Sequence, residues 1–171
     1  ENQHSSVNNA NYQTSNGIGK NLPLTILERM EEAKTDNGYG HKISKLTDAL
    51  GKPLKYYINK TMMRVELPTP LKPGQKFVFN VDWSYKISDR MTFAGRGGYE
   101  MLEDGNHLFT MAQWFPRLCV YSDFQGWQNQ QFSGRGEFAL TFGNYDVTLT
   151  VPSDHIVLST GVCQNYAQVL T

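Results

Sequence analysis

The chain has 171 residues, enough for one domain with a buried core. Lys plus Arg and Asp plus Glu number 16 each, so the formal net charge is zero. Proteins that bind nucleic acid usually carry a basic excess, because phosphate contacts supply most of their affinity, so nucleic acid is not an expected partner. No run approaches the ~20 apolar residues that span a bilayer, which predicts no transmembrane segment.

The first 20 residues are rich in Asn, Ser, Gln and Gly, and they predict a loose polar segment ahead of a β domain over 21–171. This start lacks Met, a basic stretch and an apolar stretch, so it is not a signal peptide. The string TILERMEEAK predicts a short helix over 25–34. Thr25 can cap its N-terminus, and Glu28 three residues later completes a capping box.

Beyond the helix, the apolar residues recur with a period of two, as in strands that bury one face. The run 54–67 is predicted to be one strand with Tyr57 and Met63 on the same face. The clearest alternation lies in 75–87, and its apolar face consists of Phe77, Phe79, Val81, Trp83, Tyr85 and Ile87. The glycine-rich string GRGGYEMLEDGNH that follows predicts a loop or a hairpin.

The last third of the chain also alternates, but its apolar set shifts by one residue at Gly143 and Asn144. A β-bulge at Gly143 in one long strand and a two-residue hairpin both explain this shift. The string DHIVLSTGV predicts a last short strand. Together these patterns predict a mainly β fold, an antiparallel sandwich or saddle-shaped sheet, with at most one short helix near the N-terminus.

Motifs for catalysis or metal binding are absent from the sequence. It contains no H-E-x-x-H, and its glycine-rich strings lack the spacing of a phosphate-binding loop. Structural or surface roles are expected for the four scattered histidines, which are His4, His41, His107 and His155. Solvated loop charges are expected at Glu100, Glu103, Asp104 and Asp123. The two cysteines, Cys119 and Cys163, are predicted to be free and mostly buried thiols.

The string MAQWFPRLCVY is apolar enough for a core strand, yet Gln113, Pro116 and Arg117 interrupt it. In a structural interpretation, Trp114 packs in the core, Arg117 pairs with Asp123 and Gln113 ends a strand. In a functional interpretation, Pro116 breaks the strand and Gln113 presents its amide to a polar ligand. A primary amide both donates and accepts, so it suits an ammonium group or a peptide carbonyl.

Three longer strings carry a family resemblance. LFTMAQWFPRLCVYSD, followed by GEFALTFGNYDVTLTVPSDHIVLSTG, resembles the N-terminal domain of the aminopeptidase N family of zinc metallopeptidases (gluzincins), in particular a bacterial branch. Upstream, MMRVELPTPLKPGQKFVFNVDWSYKI is similar to the strand that precedes this site in the family. The resemblance covers roughly residues 50–165. It implies a β saddle that covers the active site of a separate catalytic domain.

The same resemblance implies the partners and the cofactor. A catalytic metallopeptidase domain of the same protein would hold zinc, which activates water to hydrolyse a peptide substrate. The present chain would supply no catalytic residue and no metal ligand, and would be inert by itself. By its position after Phe109 and Thr110, Gln113 corresponds to the family residue that binds the substrate's free α-amino group. The resemblance therefore implies this role for Gln113. Met111 stands where relatives often have a first Gln.

Two other functions remain open from the sequence. One is a free-standing β-sandwich that binds carbohydrate by stacking sugars on exposed aromatic rings, with Trp114, Tyr121 and Trp127 as candidates. The other is a structural packing domain in which Gln113 has no ligand.

Overall fold

The structure, a computed structural model, describes Leu24, Glu28 and Glu31 together with residues 35–91, 96–131 and 139–169. Within these residues the chain is mainly β, as predicted, and all four two-stranded sheets are antiparallel. The strands are β1 (Lys42–Asp48), β2 (Lys55–Asn59), β3 (Met62–Glu66), β4 (Phe79–Ser84), β5 (Gly98–Met101), β6 (His107–Thr110), β7 (Tyr121–Ser122) and β8 (Gly126–Trp127). A single-turn helix, α1, spans Tyr166–Val169.

The sequence pattern does not anticipate α1, which buries none of its residues. Of the predicted helix over 25–34, Glu28 and Glu31 are described, both helical and exposed, and the rest lies outside the described residues. The predicted polar segment 1–20 lies outside them as well. None of the described helical residues belongs to a helix long and apolar enough to cross a lipid bilayer.

Strands β1 and β4 form the sheet that carries the alternating pattern of 75–87. Val81, Trp83, Tyr85 and Ile87 are half-buried, whereas the residues between them, up to Lys86, are exposed. This confirms the predicted alternation there, although only Phe79–Ser84 is paired as a strand. The register shifts between Ile43 and Lys45, so β1 contains an irregularity opposite Asp82 and Trp83 of β4.

The turn after β1 joins the backbones of Leu46 and Leu54, whose side chains are the two buried apolar ones among the described residues. The Asp48 carboxylate accepts hydrogen bonds from the backbone N–H groups of Leu50 and Lys52, each at 2.9 Å. The chain then reverses, and the Leu54 N–H donates to the carbonyl of Leu46 at 3.0 Å. An Asp side chain that accepts backbone N–H groups stabilises such a turn, and here it closes the core.

The prediction of one strand over 54–67 is wrong, because the chain folds back into the hairpin of β2 and β3. Tyr56 pairs with Val65 and Ile58 with Met63. Directly paired residues point to the same face, so Tyr56 rather than Tyr57 lies on the face of Met63. A two-residue turn shifts the apolar set by one residue, but consecutive apolar residues at 56–58 and 62–63 hide that shift, which is why periodicity alone missed the turn.

Gln131 holds this turn from a distant part of the chain. Its side-chain oxygen accepts hydrogen bonds from the backbone N–H of Thr61 at 3.1 Å and from the Thr61 hydroxyl at 2.7 Å. Its amide nitrogen donates to the carbonyl of Asn59 at 2.8 Å. Lys60 between them has φ 56°, a left-handed value that two-residue hairpin turns require. The Gln131 side chain therefore pairs with the turn much as a neighbouring strand would.

Strands β5 and β6 form the hairpin expected from the glycine-rich string. Gly98 and Thr110 pair at its open end. The Tyr99 N–H donates to the carbonyl of Ser88 at 2.8 Å, and the Arg90 N–H donates to the carbonyl of Tyr99 at 3.0 Å. Through these two hydrogen bonds, the backbone at Ser88 and Arg90, which precedes β5, lies close to Gly98, and Gly98 is buried.

The strands predicted after residue 138 are not formed. The described part of this region, 139–165, contains no strand, and the Phe142 side chain is fully exposed. The chain divides into two compact units, Glu1–Thr141 and Phe142–Thr171. An alternating segment becomes a strand only when another strand pairs with its backbone, and within the described residues none pairs with this one. The bulge and the hairpin at Gly143 are therefore both wrong for this structure.

Both cysteines are free, as predicted. Cys119 is half-buried, with its sulfur 3.8 Å from the sulfur of Met62. Cys163 is exposed, so the prediction that both thiols are mostly buried is wrong for Cys163. It lies in the region whose predicted strands do not form.

Candidate functional site

The string MAQWFPRLCVY forms the loop between β6 and β7 over 111–120, not a core strand, and its last residue, Tyr121, begins β7. Gln113 lies three residues after β6 ends at Thr110, and it has φ 53°. Pro116 has no backbone N–H to donate to a ladder. Left-handed backbone at Gln113 and the missing donor at Pro116 explain why an apolar run leaves the sheet here.

Gln113 is exposed and holds an unfavourable backbone conformation. Among the described non-glycine residues, only Lys60 shares a positive φ, and Lys60 forms the turn of a hairpin. For a residue with a Cβ atom, the left-handed region costs roughly 1–2 kcal/mol. Such conformations persist where the surroundings enforce them, and they concentrate at functional sites. Gln113, which the sequence proposed as a ligand-binding residue, thus has an unusual backbone conformation, and its role in binding stays a prediction.

Trp114, the next residue, anchors the loop through its indole ring. The ring stacks on Trp83 of β4, with centroids 6.1 Å apart and planes at 28°. Its other neighbour, Phe115, meets it edge-on with centroids 5.1 Å apart. Both separations lie in the favourable range for aromatic pairs. The side chain expected either in the core or on sugars is half-buried in an aromatic cluster.

His41, directly before β1, holds the same residue through its backbone. Its Nε2 lies 2.9 Å from the carbonyl oxygen of Trp114. A carbonyl oxygen only accepts, so Nε2 must carry the hydrogen in this contact. The imidazole also packs against Tyr85, with ring centroids 5.3 Å apart. Trp114 is thus held at its ring by Trp83 and at its carbonyl by His41.

Arg117, in the same loop, does not pair with its predicted partner Asp123 and instead contacts a backbone carbonyl and an aromatic ring. Its Nη2 donates to the carbonyl of Thr141 at 3.1 Å, and its guanidinium lies 5.6 Å from the centroid of the Phe115 ring. Asp123 is exposed and forms no ion pair with Arg117. The predicted Arg117–Asp123 pair is therefore wrong. A guanidinium can instead bind a backbone carbonyl while it lies over an aromatic ring.

A second aromatic group lies on the hairpin of β7 and β8. Tyr121 and Trp127 pair across the strands and meet edge-on, with ring centroids 5.3 Å apart. Tyr121 is 62% exposed and Trp127 53% exposed. Exposed amide side chains flank them on the same hairpin, at Gln125 and Asn129. Aromatic faces beside amides can bind a neutral polar molecule through stacking and hydrogen bonds.

The ionisable groups in the described part of the chain do not assemble into a metal site, since no three His, Cys, Asp or Glu residues converge there. His107 packs with the rings of Tyr99 and Phe109, and His155 contacts the Asp154 carboxylate at 2.8 Å. His4 lies outside the described residues. The described histidines thus have structural or surface contacts, as expected.

Several carboxylates stabilise local structure. Hydrogen bonds from the backbone N–H and the side-chain amide of Asn106 lower the pKa of Asp104. Glu100 pairs with Arg90 at 3.2 Å. Glu100 and Asp104 therefore have local partners, and Asp123 is exposed. These carboxylates do not form an acid–base pair with one another.

Comparison with family models, curated proteins and solved structures finds no match. The resemblance to the aminopeptidase N family therefore stays a prediction drawn from the quoted strings. Gln113 is the site residue that the sequence proposed. The residues that support it, His41 and Trp83, could not be identified from the sequence, because His41 lies 73 positions before Trp114. The only local signal is that Trp83 belongs to the apolar face of 75–87.

Proposed function

We propose that this chain is the non-catalytic β domain of a zinc-dependent metallopeptidase of the aminopeptidase type, and that Gln113 binds the α-amino group of the peptide substrate. In this proposal a catalytic domain of the same protein holds the zinc ion. When bound there, zinc polarises the scissile carbonyl and activates water. The present chain covers the cleft and orients the substrate.

The observation that carries this proposal is the conformation of Gln113. The residue is exposed, it has φ 53°, and the fixed residue Trp114 follows it. When a strained residue is followed by an anchored one, as Gln113 is by Trp114, the side chain of the strained residue is held in a defined place. The Gln oxygen can accept a hydrogen bond from an ammonium group, and the amide nitrogen can donate to a carbonyl.

The described residues of this chain do not fit a zinc site. The described residues contain no group of three potential ligands, whereas a catalytic zinc needs three protein ligands with one position left open. The proposal therefore assigns the metal to the partner domain and assigns only substrate positioning to Gln113. Positioning of this kind contributes through the substrate's binding and alignment.

Gln113→Ala in the full-length protein is expected to lower kcat/KM on amino-acid anilides by about 10- to 100-fold, because a hydrogen bond to a charged group contributes about 1.5–3 kcal/mol. Zinc content should stay unchanged. Gln113→Glu keeps an oxygen acceptor for the ammonium group and should retain most of the activity. Gln125→Ala removes an exposed amide from the β7–β8 hairpin and serves as the matched control. An unchanged kcat/KM for Gln113→Ala would refute the assignment.

The exposed pair Tyr121 and Trp127 favours a second candidate function, carbohydrate binding. An aromatic ring stacks on the C–H face of a sugar, and the neighbouring amides can bind its hydroxyl groups. Since Trp114 is packed against Trp83, the surface for this function is confined to the β7–β8 hairpin.

Trp127→Ala tests this candidate by NMR titration of the chain with soluble glucan and chitin oligosaccharides. Binding should shift the Trp127 indole N–H signal in the unmodified chain, and the substitution should weaken binding at least about fivefold, as expected for loss of roughly 1 kcal/mol of stacking. Phe124→Ala is the control, because Phe124 is exposed on the same hairpin but is outside the stacked pair. The absence of any shift would rule this function out for these sugars.

A further inference from the structure

We infer that His41 is the positioning residue for Gln113, and that it acts through its hydrogen bond to the backbone carbonyl of Trp114. This inference rests on the proposed function of Gln113. His41 lies at the entry to β1 and Trp114 lies in the loop after β6, so this hydrogen bond joins two parts of the chain that are 73 residues apart. It fixes the peptide group between Trp114 and Phe115.

The aromatic contacts of Trp114 restrain its ring but not its backbone, and the hydrogen bond from His41 restrains the backbone. Stacking on Trp83 restrains the indole ring, but the backbone can still rotate about its φ and ψ angles while the ring stays in place. Gln113 at φ 53° occupies an unfavourable well, so relaxation toward a negative φ would turn its side chain away. A hydrogen bond at 2.9 Å on the carbonyl of the next residue opposes that relaxation.

Two contacts of the His41 imidazole with described residues can be separated by substitution. Its ring packs against Tyr85, with centroids 5.3 Å apart, and its Nε2–H donates to Trp114. A phenylalanine at position 41 keeps a ring of similar size for the first contact and has no donor for the second. A glutamine places an amide nitrogen at about the reach of Nε2, so it restores the donor without the ring. These two substitutions distinguish packing from hydrogen bonding.

The test measures kcat/KM of the full-length protein for His41→Phe and His41→Gln, each alone and combined with Gln113→Ala. His41→Phe is expected to lower kcat/KM about 5- to 20-fold, mainly through KM, with zinc content unchanged. His41→Gln should stay within about twofold of the unmodified protein. In the Gln113→Ala background, His41→Phe should cost less than twofold, since residues that act as one unit are not additive.

Hydrogen exchange of the loop supplies a second measurement that does not depend on activity. His41→Phe should increase amide exchange in 112–115 at least about tenfold, and His41→Gln should not. If His41→Phe fails to fold, His41→Met, which also lacks the donor, takes its place with the same expectations.

Three results would overturn the inference. They are unchanged activity of His41→Phe, equal losses in His41→Phe and His41→Gln, and an undiminished effect of His41→Phe in the Gln113→Ala background. Unchanged activity of Gln113→Ala alone would instead overturn the proposed function. In that case, the exchange measurement still decides whether His41 holds the loop, and unchanged exchange in His41→Phe would reject that too.

Discussion

Leu46→Ala is expected to lower the free energy of unfolding by about 3 kcal/mol, because truncation of a buried Leu loses apolar contact and leaves a cavity. Leu46 is 4% exposed and is one of the two buried apolar side chains of the described residues. The carbonyl of Leu46 also accepts a hydrogen bond from the Leu54 N–H, so the cavity would form where these two segments pair. Urea unfolding followed by tryptophan fluorescence measures the change as a lower midpoint with an unchanged slope.

Leu50→Ala is the matched control for this experiment. Leu50 lies four residues further along the chain, in the Asp48 turn, and it is 93% exposed. The same chemical change there should alter the free energy of unfolding by no more than about 0.5 kcal/mol. A loss below about 1 kcal/mol for Leu46→Ala, or equal losses for the two variants, would show that Leu46 does not belong to the stabilising core.

Two parts of the fold could be predicted because their signal is contained in one short string of the sequence, whether the partner strand is near, as for β5 and β6, or distant, as for β4 and β1. Alternation in 75–87 predicted the half-buried face of β4, and the glycine-rich string predicted a loop or a hairpin where β5 and β6 form a hairpin. The β2–β3 hairpin was missed because its two-residue turn shifts the apolar set by only one residue, and consecutive apolar residues at 56–58 hide that shift. Periodicity describes which face is apolar, and it does not say which strand supplies the partner.

The alternating segment after residue 138 also shows that periodicity does not identify a partner strand. Tyr145, Val147, Leu149 and Val151 follow the period of a strand, yet all four are exposed and none is paired in the structure. Strand formation needs backbone partners that a local pattern cannot supply.

For the candidate site, the sequence proposed Gln113, which stays a prediction, and it did not reveal the residues that support the Gln113 loop. Gln113 stood out because an amide is unexpected in an apolar run, and its left-handed backbone agrees with a special role. His41 carried no comparable signal, since a single histidine before a strand has many structural uses. Its role depends on a contact with a backbone carbonyl, which any residue type presents. Such contacts become visible only once the fold brings distant segments together.

Gly98→Ala is expected to lower the free energy of unfolding by about 3 kcal/mol, as the sum of a steric and a backbone contribution. A Cβ atom on Gly98 would lie 2.6 Å from the carbonyl oxygen of Ser88 and 2.7 Å from Cγ of Arg90. The Ser88 carbonyl cannot move away easily, because it accepts the Tyr99 N–H. Gly98 also has φ 137°, a conformation that residues with a side chain rarely adopt.

Gly105→Ala separates these two contributions. Gly105 has φ 84° in the turn of the same hairpin, and no atom lies within 4 Å of the position of an added Cβ. This variant should lose only about 1 kcal/mol, the cost of the backbone conformation alone. Thermal unfolding of both variants gives the comparison, and equal losses would contradict the predicted clash. Since Gly98 pairs with Thr110, the last residue of β6, the clash should also increase amide exchange in the loop that presents Gln113, while Gly105→Ala should leave it unchanged.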